Sequence, residues 1–313
     1  SQEEQVERLR RIAAGGCAMI IIGDVPVLPH GFGPSLYSRK GAAFYRAVTD
    51  AVHQEGAKVC AQLHQSDSNL KAMVKYLPGV LTKRISMEEL RTLLNREVGP
   101  YITKLPKRKI QTILDGFGKA ALLARQAGFD MVQVHGDRMC GSFSSSLFNH
   151  RTEEYGGSAE NRARFAVEAV RAVRAMALGF DKVHGHGERM CGRFISALFN
   201  HRTDDYGGGA ENRARFAVEA VSAIWRRLPD LPIDFKLAVR QEEPRYGAAG
   251  IVESELPAFI PLLEQAGVTS FHVTLANHAS LTDTIPPRNH PEFGAEGCFL
   301  KFCDQVRQLT RLP

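Results

Sequence analysis

The 313-residue chain lacks a long apolar run, which limits the classes of protein that it can represent. A membrane-spanning helix needs about 18 or more consecutive apolar residues. The longest apolar stretch here, around Cys17 to Ile22, has only the length of a strand. The residues from Ser1 to Arg11 are charged and helical in pattern, so no signal peptide is predicted. We therefore expect a cytoplasmic protein that does not enter a membrane.

Cysteines are few, and their spacing matches neither a metal site nor a disulfide framework. The six cysteines include no C-x-x-C pair, and Cys140 and Cys191 occur at matching places in a duplicated segment. The sequence predicts reduced, buried thiols and no metal site.

Concentrated basic charge is also absent. The net charge is +6 and the pI about 9.0, yet the arginines are spread through the chain apart from a short run from Lys104 to Lys109. A nucleic-acid-binding protein would gather basic and aromatic side chains into one patch. The composition argues against nucleic acid as a partner and fits an anionic cofactor or substrate better.

The dominant pattern that is present is a tandem repeat with an offset of 51 residues. Segments 129–174 and 180–225 are identical at 33 of 46 positions by direct count. Two copies are too few for a solenoid, which needs about three or more, so the pattern indicates a local duplication. Each copy is predicted to form a strand, a loop and a helix, with Ser158 as the helix N-cap in the first copy. Gly185 weakens the strand of the second copy, so the first is the better strand candidate.

Strands and helices alternate along the chain, which predicts a parallel sheet. We interpret residues 1–313 as one α/β domain of the (β/α) TIM-barrel type, with 65–108 as a cap or insertion. Six strands are predicted where such a barrel has eight. The predicted strands outside the repeats are Cys17–Gly23, Lys58–Leu63, Ile233–Val239 and Ser270–Leu275. The predicted helices outside the repeats are Gly41–Glu55, Ile110–Ala127 and Ser254–Gln265.

Four segments resemble the old yellow enzyme family, in the family's order: GGCAMIIIGDVPVLP, AVHQEGAKVCAQLH, AALLARQAGFDMVQVHG and NHRTEEYGGSAENRARFAVE. They are most similar to the bacterial NADH:flavin oxidoreductase branch, which includes dienoyl-CoA and enoate reductases. The HGDRM run, His135 to Met139, further resembles the signature of gut bacterial bilirubin reductases. In the long fourth segment, Tyr155 and the two glycines after it are expected to shape a turn, and Arg162 and Arg164 to form structural salt bridges.

The resemblance implies an FMN at the C-terminal mouth of the barrel, reduced by NAD(P)H. Gln62 matches the family glutamine that hydrogen-bonds the flavin pyrimidine edge, and Gly23 a small residue against the flavin. Lys236 matches a cation near flavin N1, and Arg240 projects to the same side of the strand. Alternatively, Gln62 is a solvated residue at a strand end, Gly23 is an ordinary turn glycine and Lys236 is a surface lysine.

The same resemblance implies a catalytic group made of His135, Asp137 and Arg138, duplicated as His186, Glu188 and Arg189. Arg138 is either the proton donor or the partner of a substrate propionate, with His135 or a water then delivering the proton. A guanidinium has a pKa above 12, which makes proton donation unusual. Alternatively, the Asp–Arg pair only braces the loop.

The expected function is hydride transfer to an activated C=C bond of a small molecule, with bilirubin or a related tetrapyrrole as the suggested substrate. Alternatives are a dienoyl-CoA or enoate reductase, and a rearranged barrel that does not bind flavin. Counterparts of the first, seventh and eighth family strands and of the iron–sulfur cysteines are not found in the sequence, so no iron–sulfur cluster is expected. An oligomer remains open.

Overall fold

The computed structural model divides the chain into two compact units, Ser1–Lys182 and Val183–Pro313. It describes residues 1–29, 33–67, 70–136, 138–176, 181–186, 194–242, 250–274, 297 and 300–313. Among these residues, no helix is both long enough and apolar enough to cross a membrane.

Unit one alternates strands and helices, with two additional helices in the predicted cap segment. Its strands are β1 (Met19–Pro26), β2 (Lys58–His64) and β3 (Met131–His135). Its helices are α1 (Gln2–Ala14), α2 (Arg39–Gln54), α3 (Leu70–Leu81), α4 (Met87–Lys104), α5 (Lys107–Gln126), α6 (Met139–Ser144) and α7 (Ala159–Met176). Segment 65–108 thus contains α3 and α4, while its role as a cap stays a prediction.

Local side-chain hydrogen bonds fix several helix starts. Ser1 and Glu4 form a capping box at α1, and Ser86 and Glu89 form another at α4. At α7 the amide of Asn161 donates to the Ser158 hydroxyl at 3.1 Å, as the sequence predicted. Such bonds satisfy amides that have no partner within the helix.

The strands of unit one pair in parallel, β1 with β2 and β2 with β3. The β1–β2 register shifts between Ile22 and Val25, and Asp24 in this bulge has a φ of +55°. Apolar residues of the strands and of α2, α5 and α7 are buried between sheet and helices, among them Val59, Leu63, Val132, Val134, Val48, Ile113, Phe117, Phe165 and Val170. The carboxyl ends of the three strands therefore lie at one edge, held by this core.

Asp130 ties the amino end of β3 to β2. Its carboxylate accepts hydrogen bonds from the Val59 amide at 2.9 Å and from Lys58 Nζ at 2.9 Å, and it lies 2.6 Å from His53 Nε2. Burial alone would raise the pKa of Asp130, but these hydrogen bonds together lower it below its ordinary value.

Unit two has the same alternation. Strand β4 (Asp181–His186) lies at the boundary and pairs with β5 (Ile233–Arg240), which also pairs in parallel with β6 (Ile251–Val252) and β7 (Ser270–Thr274). The helices are α8 (Ala210–Arg227), α9 (Leu256–Ala266) and α10 (Leu300–Leu309), with a short 3-10 turn at Glu253–Glu255. Alternate residues of β5, from Ile233 to Val239, pack into a core with Ala217, Phe259 and Leu263.

The strands and helices predicted by periodicity are confirmed, with ends shifted by a few residues. Both repeat copies form a strand, including the glycine-containing copy in β4. The two-residue β6 was not predicted, because so short a pairing leaves no periodic pattern. Leu275, the predicted end of the last strand, lies outside the described residues.

Candidate functional site

Two amide side chains and a glycine meet at the carboxyl edge of the unit-one sheet. Gln62 and Gln133 are register partners on β2 and β3, and Gln62 Nε2 donates to Gln133 Oε1 at 2.6 Å. A Cβ added at Gly23 would lie 3.8 Å from Gln62 Oε1. The structure therefore brings together the two predicted cofactor residues of this unit, with the Gln62 oxygen facing Gly23.

Two histidines extend the same edge. His64 ends β2 and His135 ends β3, and their ring centroids are 5.6 Å apart with the planes at 67°. His64 Nδ1 lies 3.8 Å from Asp24 Oδ1, and the His135 side chain is buried. His135 thus lies where the sequence predicted it, with a second histidine that the sequence analysis did not select.

Arg138 occupies a strained backbone position at the start of α6. Its φ is +54° and its ψ −124°, a conformation that favours glycine. Its guanidinium Nη1 lies 3.9 Å from Asp67 Oδ1, and the Asp67 side chain is only 8% exposed. Asp137, the third predicted catalytic residue, lies outside the described residues.

The two predicted cofactor cations share one face of β5 in unit two. Lys236 is a register partner of His186 on β4 and of His272 on β7. Arg240 is buried, and its Nη1 lies 3.1 Å from Glu242 Oε1. Of the duplicate catalytic group, His186 ends β4, while Glu188 and Arg189 lie outside the described residues.

The N-x-R-T-x-x-Y-G-G segment folds in the same way in both copies. Asn149 Nδ2 donates to the carbonyls of Phe143 and Tyr155, both at 2.6 Å. The corresponding Asn200 donates to Phe194 at 2.7 Å and to Tyr206 at 2.6 Å. A side chain at Gly156 would clash with the Arg151 carbonyl oxygen, so this turn requires glycine. The long motif is therefore a structural turn, as predicted.

The arginine of this motif has one partner in common between the two copies, since Arg151 pairs with Glu153 and Arg202 with the corresponding Asp204, and it differs in its other contacts. Arg151 Nη1 donates to the carbonyls of Ile102, Thr103 and Leu105 at 3.0, 3.1 and 2.7 Å, at the end of α4, and its side chain is 8% exposed. The corresponding Arg202 is paired with Asp204 and is 51% exposed. Among the described residues, the contacts of this arginine to the end of α4 are thus found in the first copy.

The arginine at the start of the repeat helix also has different partners in the two copies. In the first copy, Arg162 Nε donates to the Ser144 carbonyl at 3.0 Å. In the second copy, Arg213 Nε makes the equivalent hydrogen bond to the Ile195 carbonyl at 3.0 Å. Arg213 also forms an ion pair with Glu255. Arg162 donates to the carbonyls of Ser144 and Gly157, and among the described residues no ion pair of Arg162 is found, whereas Arg164 Nη1 lies 4.0 Å from Glu168 Oε1 as expected.

Four polar residues of the site were not identified from the sequence: Gln133, His64, Asp67 and Ser142. Gln133 could have been selected from the sequence, since a polar residue between two valines in a buried strand indicates a functional position. Asp67 comes from the loop after β2 and Ser142 from α6, and neither gave a local signal. Ser142 Oγ donates to Asp67 Oδ2 at 2.7 Å.

The residues present fit the chemistry of a flavin site. Among the described residues, only Gln62 Oε1 lies within 4 Å of a Cβ placed at Gly23, so a flat ring could approach this glycine. In unit two, considered by itself, Arg240 Nε is buried without a hydrogen-bond acceptor in the part of the chain that the structure describes. No group of three or more metal-ligating side chains occurs within these described ranges.

Comparison with known proteins gives consistent results. The model of the NADH:flavin oxidoreductase / NADH oxidase family matches residues 2–183 and 172–242, in two segments that overlap between the repeats. The chain is 52% identical to a bilirubin reductase of Clostridium symbiosum (strain WAL-14163), covering 100% of this chain and 70% of that protein. It is 29% identical to a bilirubin reductase of Mediterraneibacter gnavus, covering 99% of this chain but 40% of that protein.

Solved structures support the fold. Morphinone reductase aligns with 97% of this chain and 75% of its own, at a TM-score of 0.57 and 18% identity. Old Yellow Enzyme from Pichia sp. AKU4542 aligns with 73% of this chain and 61% of its own, at a TM-score of 0.52 and 20% identity. This likeness supports an α/β barrel fold.

Proposed function

Because this chain belongs to the NADH:flavin oxidoreductase / NADH oxidase family, we propose that it is an FMN-dependent ene-type reductase. It takes hydride from NAD(P)H and passes it to an activated C=C bond, with bilirubin or a related tetrapyrrole as substrate. The observation that carries this proposal is the meeting of Gly23, Gln62 and His135 at one sheet edge, close to the Arg138–Asp67 pair. The 52% identity to a bilirubin reductase supports the choice of substrate.

The cofactor side of the proposal uses Gly23 and Gln62. FMN, when bound, supplies the hydride. The Gln62 amide has an oxygen acceptor and two N–H donors, of which Gln133 engages one, so it can still serve both the donor and the acceptor groups of a flavin edge. Lys236 and Arg240 stay predicted cofactor contacts, because a cation stabilises the negative charge of a reduced flavin.

The substrate side uses the residues that follow β3. His135 is buried at the end of β3. Arg138 follows after a short loop and is the N-cap residue of α6. The resemblance assigns Arg138 the donation of the proton to the second alkene carbon, and the alternative is that Arg138 binds a substrate propionate while His135 or a water donates. Asp137 is proposed to hold either group in place.

A flavin titration tests the proposal directly. The purified protein should bind FMN, show absorbance near 450 nm, and be bleached by NADH without oxygen. Bilirubin, a cinnamate-type acid and an enoyl thioester are then offered to the reduced protein, and reoxidation of the flavin identifies the substrate class. A preparation that stays colourless with excess FMN would reject the proposed activity.

Matched variants of the two repeats test which copy is used. We expect Arg138→Ala to abolish substrate reduction and Arg189→Ala to preserve it, because β3 carries the first copy beside Gln62. The opposite result would assign the site to the second copy. Equal losses in both variants would exclude a single site.

A further inference from the structure

A fully buried amide lies in the middle of β3. Gln133 has no exposed surface and stands between Val132 and Val134, which are also buried. An amide in such surroundings is unfavourable unless hydrogen bonds compensate its burial. Gln133 Oε1 accepts a hydrogen bond of 2.6 Å from Gln62 Nε2, and Gln133 has a further interaction besides this one. The buried amide is therefore held in place, and its partner is a residue of the proposed flavin site.

The strand register places Gln133 on the same face as the other polar residues of the site. Gln133 and Gln62 are register partners across β3 and β2. Alternate residues of a strand project to the same face, so Gln133 shares a face with His135, two positions further along. At that next step the rings of His135 and His64 meet across the same two strands. The amide pair and the histidine pair thus follow one another toward the carboxyl edge.

The hydrogen bond decides which end of the Gln62 amide is turned toward Gly23. The terminal torsion of a glutamine has two broad orientations, which exchange the places of the oxygen and the nitrogen. Only the orientation with the nitrogen toward Gln133 Oε1 makes this hydrogen bond, because the reverse would bring two acceptor oxygens together. The Gln62 oxygen accordingly lies on the other side, 3.8 Å from a Cβ placed at Gly23.

We infer that Gln133 is a positioning residue that fixes the Gln62 amide with its oxygen toward the flavin, so that this oxygen accepts the flavin N3–H. The inference rests on the proposed function and deepens it, because it names the cofactor atom that the pair recognises. The pyrimidine edge of a flavin carries one N–H donor, at N3, between two carbonyl acceptors. The observed Gln62 orientation matches that donor, whereas a reversed amide would set its nitrogen against N3.

A flavin without the N3 hydrogen tests this orientation without turnover. FMN and 3-methyl-FMN are titrated by flavin fluorescence into the wild-type chain and into Gln133→Met, Gln133→Glu, Gln62→Met and the double Met variant. Methionine keeps the length of the side chain and removes the amide, whereas glutamate keeps an acceptor oxygen at the same place. Val132→Ala is the control for packing, since it opens the same strand on its opposite face.

The expected result is a change in selectivity between the two flavins. The wild-type chain should bind FMN roughly tenfold or more tighter than 3-methyl-FMN, because the methyl group leaves the Gln62 oxygen without its donor. Gln133→Met should lower this preference roughly fivefold or more, since the amide can then turn its nitrogen to a flavin carbonyl. Gln133→Glu and Val132→Ala should keep the preference. In the Gln62→Met background, Gln133→Met should change it no further.

The opposing results separate this inference from the proposed function. A wild-type chain that binds both flavins equally would overturn the inference, whether or not the variants fold. Equal losses for both flavins in Gln133→Met would show that Gln133 only supports the fold. Loss of the preference in Gln133→Glu would also overturn it, because an acceptor oxygen is still present there. A wild-type chain that binds neither flavin would instead refute the proposed function.

Discussion

Replacing Arg138 by glycine and by alanine separates a backbone effect from a side-chain effect at one position. Both variants remove the guanidinium, and with it the ion pair to Asp67. Only glycine also removes the Cβ that makes a φ of +54° with a ψ of −124° unfavourable. The difference between the two variants therefore measures the backbone strain, less the extra conformational freedom that glycine loses on folding.

The expected size follows from this conformation. A non-glycine residue in a sparsely populated region costs about 1–3 kcal/mol. Glycine loses more conformational freedom on folding, by about 0.5–1 kcal/mol relative to alanine. The glycine variant should therefore be more stable than the alanine variant by about 0–2.5 kcal/mol, with about 1 kcal/mol as the central expectation.

Urea unfolding followed by circular dichroism measures the stability difference, and anaerobic bilirubin reduction measures activity. We expect both variants to lose substrate reduction, since neither carries the guanidinium. An alanine variant that is more stable than the glycine variant by about 0.5–1 kcal/mol, the ordinary difference between these two residues, would refute the strain argument. Retained activity in either would refute the role of Arg138.

Three further outcomes are expected. Gly23→Val should weaken FMN binding about tenfold or more, because the added methyl groups overpack the flavin side of Gln62. The unfolding midpoint should change little. An unchanged FMN affinity in a flavin titration would contradict this prediction. Asp130→Asn should lower the free energy of unfolding by about 1–3 kcal/mol at neutral pH. Since the folded-state pKa of Asp130 is lowered, this stability is present above the unfolded pKa and is lost as pH falls through the folded pKa, so unfolding curves of the two proteins should converge in acid. Excision of residues 158–208 removes one repeat length and leaves a single repeat unit that contains Arg151 of the first copy and Arg213 of the second, each with its contacts. The shortened protein should therefore fold cooperatively and bind FMN. Aggregation or loss of FMN would show that both copies are needed.

Local patterns predicted the elements well, because strand alternation, helical periodicity and N-caps depend on neighbours in the chain. The Ser158 cap and the strand from Met131 are examples. The short β6 could not be predicted, since its two residues pair only because β5 lies beside them. Gly23 and Gln62 were selected through the family resemblance, and the fold brings them together.

The parts of the site that the sequence did not reveal all depend on contacts between distant segments. Asp67 and Ser142 are separated by 75 positions, and their hydrogen bond forms only because the loop after β2 meets α6. The strained φ of Arg138 likewise reflects contacts that hold its loop, not a preference of arginine.

The repeat shows most clearly what each level determines. The sequence alone determined that both copies form the same turn, because Asn149 and Asn200 make equivalent bonds to carbonyls six residues away on either side. Only the tertiary structure decided that Arg151, which pairs with Glu153 as Arg202 pairs with Asp204, also donates to the carbonyls at the end of α4. The physical reason is that a local turn closes on its own backbone, whereas a long cation takes whichever acceptors the fold places around it.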